Sequence, residues 1–260
     1  MKRKPSSRIL HIAIMGVLIM LSNSCKKDKE SNPSNPENPT NGKTTAVFNP
    51  NKTYGTLTDQ DGNVYKTIQI GSQIWMAENL RTTKYRDGSV IPEVTDNTAW
   101  RNLSTDAYCN YNNTKNSDTI ATYGRLYNWY AVSDSRNIAP TGWHVASDAE
   151  WTILTDYLGG DSIAGGKMKE TDTTHWCNPN TGATNECGFT ALPSGLRHSY
   201  NGTFGYVRLY GSGWSSTADG ASSAWERSLD YSHARCSRSN YGYIQFGFAV
   251  RCVKDYVPEK

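Results

Sequence analysis

Gly142-Trp-His-Val-Ala-Ser-Asp-Ala-Glu-Trp151, continued by Thr-Ile-Leu-Thr-Asp-Tyr-Leu-Gly-Gly160, is the stretch that decides the fold class. Ser147 and Glu150 form a capping box, in which the hydroxyl accepts from the third helical N–H and the carboxylate accepts from the N–H of the cap itself. Trp151, Leu154 and Leu158 then fall on one stripe, and Gly159-Gly160 closes the helix, because glycine tolerates the left-handed backbone that ends it. Upstream, Tyr123-Gly-Arg-Leu-Tyr-Asn-Trp-Tyr-Ala-Val132 places Leu126, Trp129 and Tyr130 at helical offsets, which predicts a second short helix. Residues 82–122 are rich in Thr, Asn and Asp without sustained periodicity and read as loop.

The first third reads as hairpins. Tyr54–Thr58 and Val64–Ile70 alternate around the turn Asp59-Gln-Asp-Gly-Asn63, and Gly71-Ser72 turns the chain into Gln73–Ala77. Asp59, Asp61 and Asn63 have calcium-loop spacing, but the later ligands and closing Glu are missing, so the turn reading is preferred. After the second helix come loops and short strands, including Phe204–Tyr210, Ala224–Asp230 and Phe246–Val253. Two helices among strands and loops predict an α+β domain.

Ahead of the domain, Lys2, Arg3, Lys4 and Arg8 precede an apolar run, Ile9–Leu21, too short to span a bilayer. Ser22-Asn23-Ser24 and Cys25 follow, then Lys26-Lys27-Asp28-Lys29-Glu30. This resembles a bacterial lipoprotein signal, with residues 1–24 removed and Cys25 lipidated. Residues 25–50 hold four prolines among Asn, Ser, Thr and Lys and predict a disordered linker, leaving 51–257 as one domain. Removing residues 1–24 takes away four basic and no acidic side chains, so the net charge falls from +3 to −1. No basic surplus remains for a nucleic-acid partner. The membrane, reached through the anchor, is the expected partner, and the outer membrane, facing out of the cell, the expected location.

Five cysteines then remain, in a compartment that permits disulfides. Cys177 and Cys187 flank the turn-rich stretch 178–186 and form the first candidate bridge; Cys109, Cys236 and Cys252 leave Cys109–Cys252 or Cys236–Cys252 open. With no CxxC pair and no His at ligand spacing from a Cys, no metal is expected.

Seven segments together resemble the Fibrobacter succinogenes major paralogous domain of Bacteroidetes and Fibrobacteres: Asp61–Tyr65, Ile70–Leu80, Tyr123–Trp129, Gly142–Trp151, Gly188–Pro193, Trp214–Thr217 and Val250–Asp255. They run in order over nearly the whole domain. Two departures stand out: Ala146 where the family commonly has Pro, and the pair Cys177 and Cys187 where small polar residues are expected. The resemblance implies a C-type-lectin-like fold, with two short helices, small twisted antiparallel sheets and long loops, shared with formylglycine-generating enzymes.

Three functions follow from these readings. The first is surface recognition of a glycan or protein, supported by 16 Tyr and 8 Trp beside many Asn, Asp and Ser. Trp75, Trp129, Trp143 and Trp151 read as core, and Trp100, Trp176, Trp214 and Trp225 as looser candidates. The calcium-binding motifs of sugar-binding C-type lectins are absent. The second is a structural role in a surface assembly, distinguished from the first by whether loops 95–120 and 160–185 form an aromatic-lined pocket. The third, an enzyme like the formylglycine generators, lacks their nearby cysteine pair: Cys236 stands alone, His144, His175, His198 and His233 are scattered, and no Ser nucleophile elbow occurs. No catalytic residue, cofactor or ligand-binding residue is assigned.

Overall fold

A computed structural model of the protein describes residues 42–256. The opening strands follow the turns read from the sequence. β1 (Gly55–Thr58) and β2 (Val64–Ile70) pair antiparallel across the Asp59 turn, and β2 pairs with β3 (Gln73–Met76) across Gly71-Ser72. The Asp59 carboxylate accepts from the N–H groups of Asp61 and Asn63, each at 2.9 Å, and from the Tyr65 hydroxyl at 2.6 Å. Its oxygens thus hold the turn together.

Residues 82–122, read as loop, contain α1 (Asn97–Arg101), β4 (Tyr108–Cys109) and α2 (Ser117–Tyr123). Each helix is started by a side-chain cap, Asp96 to the Ala99 N–H and Asn116 to the Thr119 N–H. The single helix expected over 123–132 does not form. Gly124, at φ 75°, ends α2, β5 (Leu126–Tyr127) pairs with β4, and the Asn128 side chain caps a new helix, α3 (Trp129–Ser133). Leu126 therefore belongs to a strand and Trp129 and Tyr130 to the helix after it.

β6 (Trp143–Val145) leads into α4 (Asp148–Tyr157), whose capping box forms as read: Glu150 N–H to Ser147 Oγ at 3.3 Å, and Ser147 N–H to Glu150 Oε2 at 2.8 Å. Trp151, Leu154 and Leu158 are buried. α5 (Asp161–Met168) follows at once, giving five α-helices among the described residues where two were expected. β7 (Ser194–Arg197), β8 (Phe204–Val207), β9 (Tyr210–Ala218), β10 (Ser223–Asp230), β11 (Cys236–Tyr243) and β12 (Cys252–Lys254) complete the chain. The strand expected over 204–210 is broken at Arg208-Leu209, and that over 246–253 is divided into single bridges of Gly247, Phe248 and Ala249 to Arg197, Tyr127 and Gly213, followed by β12.

One five-stranded sheet has the order β1-β2-β3-β12-β6 and the other β11-β10-β9-β7-β8, with β7 parallel to β9. The domain is thus α+β, with one sheet antiparallel and the other mixed. Two large apolar clusters fill it, one around Tyr65, Tyr127, Trp143, Trp214 and Phe248, the other around Trp75, Trp151, Trp176 and Phe189. At roughly 25 cal/mol for each Å2 of apolar surface removed from water, these rings are the largest single contributors to stability.

Three buried cations tie the loops to this core. Arg197 donates to the carbonyls of Gly202 (2.7 Å), Val94 (2.5 Å) and Thr95 (2.8 Å), with its guanidinium over Trp100 and Phe204. Lys169 Nζ donates to the carbonyls of Thr181, Asp230 and His233 at 2.8–3.0 Å. Arg251 reaches Asn79 Oδ1 and the carbonyls of Met76, Phe189 and Thr190 at 2.6–3.1 Å.

The expected linker, 25–50, ends earlier than the composition implies. Val47 N–H donates to the buried carboxylate of Glu170 at 2.5 Å, Thr45 Oγ1 meets His175 Nε2 at 2.9 Å, and Lys43 N–H donates to Asp118 at 2.7 Å. The stretch 43–49 is laid onto the domain by its backbone, a mode of attachment that apolar content does not register. Residues 25–41, Cys25 among them, lie outside the described residues.

His144 joins β6 to α4 and to the segment after β12, with Nε2 at 2.7 Å from Glu150 Oε1 and Nδ1 at 2.7 Å from Asp255 Oδ1. The bond to Glu150 carries the imidazole pKa up to about 9 against a burial effect that lowers it, and Asp255 adds to the rise. Burial alone would raise Glu150, but bonds from His144 and Ser147 outweigh it and hold the carboxyl at about 2. His144 therefore stabilises the fold fully below its ordinary pKa of 6.5 and ceases to do so as the pH rises through about 9, whereas Glu150 stabilises it above 4.5 and ceases to as the pH falls towards about 2. Lys169, lowered to about 8 by burial, gives the opposite slope in alkali, so the diagnostic quantity is a difference between two proteins. In urea unfolding from pH 6 to 10, wild-type stability should fall towards that of His144→Gln as the pH passes 9; parallel profiles would rule the ion pair out.

Candidate functional site

Three exposed tyrosines, Tyr200, Tyr206 and Tyr243, gather with other rings where β7, β8, β9 and the end of β11 meet. Tyr243 stacks on Phe246 at 6.4 Å between centroids, Phe246 lies 6.2 Å from His198, and His198 lies 4.9 Å from Tyr200 and 5.7 Å from Tyr206. Tyr206 in turn meets Tyr210 at 5.7 Å. Six rings thus form one continuous strip, in which Tyr200, Tyr206 and Tyr243 are 66%, 47% and 55% exposed.

The local sequence explains the strip. β7 ends at Arg197, whose side chain turns inward, so the next residue, His198, faces out. The β8–β9 connection is a tight turn, with Leu209 N–H bonded to Tyr206 C=O at 3.0 Å and two side-chain-bearing residues, Tyr206 and Arg208, at φ 65° and 69°. A bulky residue in that region costs about 1–3 kcal/mol and persists only where its surroundings hold it. Here Arg208 N–H donates to Pro193 C=O at 3.0 Å and its guanidinium donates to Thr174 C=O at 2.9 Å, which fixes the turn and presents Tyr206 outward.

The strip offers π-faces rimmed with hydroxyls. Burial lowers the His198 pKa, so its ring is neutral at physiological pH, and burial together with the Asp230 carboxylate pushes the Tyr210 hydroxyl up to about 12. Neutral donors and acceptors beside aromatic faces suit an uncharged, hydroxyl-rich ligand. Among the described residues no cluster of three or more His, Cys, Asp or Glu could hold a metal ion, and no helix is long and apolar enough to cross a membrane.

The tryptophans singled out as looser candidates are elsewhere. Trp100, Trp176 and Trp214 are fully buried, each with its indole N–H bonded to a backbone carbonyl, of Gln245, Ala191 and Tyr127 respectively. Trp225 is partly buried, its face covered by the Arg238 guanidinium 3.4 Å from the ring centroid. Loops 95–120 and 160–185 thus point their tryptophans into the core, and the exposed aromatic surface is made by tyrosines that composition counted without locating. The signal that could have found them is the clustering of Tyr200, Tyr206, Tyr210 and Tyr243 at turns beside glycine.

The expected disulfides are also corrected. Cys109, Cys187, Cys236 and Cys252 are free, buried thiols, so the Cys177–Cys187, Cys109–Cys252 and Cys236–Cys252 bridges are not formed. Stretch 178–186 does not fold back on itself: Thr181 N–H bonds Tyr231 C=O, Thr184 N–H bonds Gly166 C=O, and the Cys187 thiol donates to Lys167 C=O at 3.1 Å. Burial pushes Cys236 up to about 12, far from the thiolate that a nucleophile requires.

An α+β domain with an aromatic core and a tyrosine-rich strip on its surface is the class of protein that the fold and surface define. Residues 68–254 match the Fibrobacter succinogenes major domain, and the chain belongs to that family. No curated protein and no solved structure matches it. Alkylation without reduction, followed by peptide mapping, should find Cys109, Cys187, Cys236 and Cys252 protected in the native protein and modified in denaturant; a crosslinked Cys177–Cys187 peptide would contradict this.

Proposed function

We propose that the protein is a surface-anchored lipoprotein whose domain recognises glycan chains along the tyrosine strip. The observation that carries this reading is the unbroken run of rings from Tyr243 through Phe246, His198 and Tyr206 to Tyr210. A sugar ring presents C–H groups that lie on an aromatic face and a rim of hydroxyls that exchange hydrogen bonds with tyrosine and imidazole groups. The backbone strain at Tyr206 supports it as well, since strained residues gather at ligand clamps. Binding of this kind needs no calcium, in keeping with the missing calcium motifs. The C-type-lectin-like likeness inferred from the sequence accords with recognition but carries none of the argument.

A glycan array probed with residues 26–260, in calcium and in chelator, tests the site. Selective binding should survive chelation, and Tyr200→Ala and Tyr206→Ala should each weaken it about tenfold, the loss of one stacked ring. A blank array from folded protein would overturn the glycan reading and move the strip to a protein partner.

The anchor is tested separately, because it rests on the sequence around Cys25. In the full-length protein Cys25→Ser should pass from the membrane to the soluble fraction; retention through detergent-free washing would sink the lipoprotein assignment.

A further inference from the structure

The five rings from Tyr243 through Phe246, His198 and Tyr206 to Tyr210 follow one another at spacings of 5.7–6.4 Å. Tyr243 stands opposite Ser223 and Tyr210 opposite Asp230, the first and last residues of β10. At about 3.3 Å per residue, that eight-residue strand holds its ends roughly 23 Å apart. Four spacings of this size cover such a distance only when laid nearly end to end. The row is therefore extended, and long enough for several sugar rings.

The ring planes turn along the row. Tyr243 and Phe246 are nearly parallel, at 14°, but Phe246 to His198, His198 to Tyr206 and Tyr206 to Tyr210 are tilted by 59°, 69° and 62°. No flat surface can lie against faces tilted so steeply from one to the next, which excludes the face of a crystalline polysaccharide. A single chain can meet them, because each glycosidic bond lets the next sugar rotate about the chain axis. A chain end is recognised by a concave site that closes around it. Here Tyr243 and Tyr206 are about half exposed, and none of the five rings lines the cavity between α4, β7, β9 and β10. Charge along the row is unfavourable to acidic sugars. Burial keeps His198 neutral, the Asp230 carboxylate lies beside the Tyr210 hydroxyl, and the Arg208 guanidinium is turned to the carbonyls of Thr173 and Thr174.

Resting on the glycan reading, we propose that the ligand is the interior of one extended, neutral polysaccharide chain, several sugars of which lie along the row from Tyr243 to Tyr210. It is neither a chain end nor a crystal face. The tyrosines at the two ends of the row then set how long a chain the site can use.

The test is affinity electrophoresis of the full chain in gels containing soluble glucomannan, arabinoxylan or hydroxyethylcellulose, with calorimetry on manno-, xylo- and cello-oligosaccharides of two to six units. A polymer carries almost no chain ends per sugar, so retardation by the polymer itself reports binding to the interior. At least one polymer should retard the protein. Affinity for the matching oligosaccharides should rise about tenfold from two units to four, as further rings are stacked, and level off by six. Tyr243→Ala, at the exposed end of the row, should weaken the hexasaccharide more than the disaccharide. Affinity that does not grow with length, or stronger binding to microcrystalline cellulose than to the soluble chains, overturns the proposal. Retardation by none of the three polymers overturns it too: the glycan reading then stands if the array is positive, and falls with the proposal if the array is blank.

Discussion

Backbone carbonyls that no strand or helix can use must still find donors, and in this domain three buried cations gather them. Lys169 holds the carbonyls of Thr181, Asp230 and His233, Arg197 those of Val94, Thr95 and Gly202, and Arg251 those of Met76, Phe189 and Thr190. Each cation sits where segments distant in sequence meet, and among the described residues none of the three has a carboxylate within ion-pair distance. Desolvating a charge without a counterion costs several kcal/mol, and several charge-assisted bonds to carbonyls that would otherwise be orphaned offset it. A neutral side chain could fill the same space without satisfying those oxygens. This is how long irregular segments are held in single conformations without disulfides among Cys109, Cys187, Cys236 and Cys252.

The same economy governs the aromatic residues. Three buried tryptophans bond their indole N–H groups to backbone carbonyls, Trp100 to Gln245, Trp176 to Ala191 and Trp214 to Tyr127, so they too hold loops to the core. Tyrosine serves both places: Tyr65, Tyr85 and Tyr127 are buried, whereas Tyr200 and Tyr206 stand exposed beside His198 and Tyr243 beside Phe246. Arg197 belongs to both regimes: its side chain anchors the 94–97 segment from inside while the next residue along opens the strip outside. Tyrosine strip and core are separated by one step along the chain at the end of β7.

What the sequence made legible was local and chemically explicit. The Ser147–Glu150 box, the Asp59 turn and the Gly71-Ser72 hairpin carry their hydrogen-bond partners within a few residues, and all three form. The helix over 123–132 failed because hydrophobic spacing outvoted two stronger signals, Gly124 as a stop and Asn128 as a start. The short helices at 97–101 and 117–123 have no apolar stripe and are set by caps at Asp96 and Asn116, so periodicity passes over them. Glycine-flanked tyrosines at turns mark members of the strip, but that residues 198–210 and 243–246 meet is decided by tertiary packing, and the thiols were misjudged because turn composition says nothing of which distant carbonyls a loop will meet. Family membership was legible because it rests on many short segments in fixed order, each independent of the others.

β12 lies between β3 and β6 in its sheet, with Val253 opposite both Trp75 and His144. A strand near one end of the described chain is therefore an interior stave of a sheet whose edge strand β1 comes from the other. A chain emerging from its N-terminus can form the β1–β2–β3 meander early, but β6 has no neighbour in that sheet until residues 252–254 arrive. Closure of this sheet is thus a late event in synthesis, because a nascent chain halted before β12 lacks the strand that joins β6 to β3.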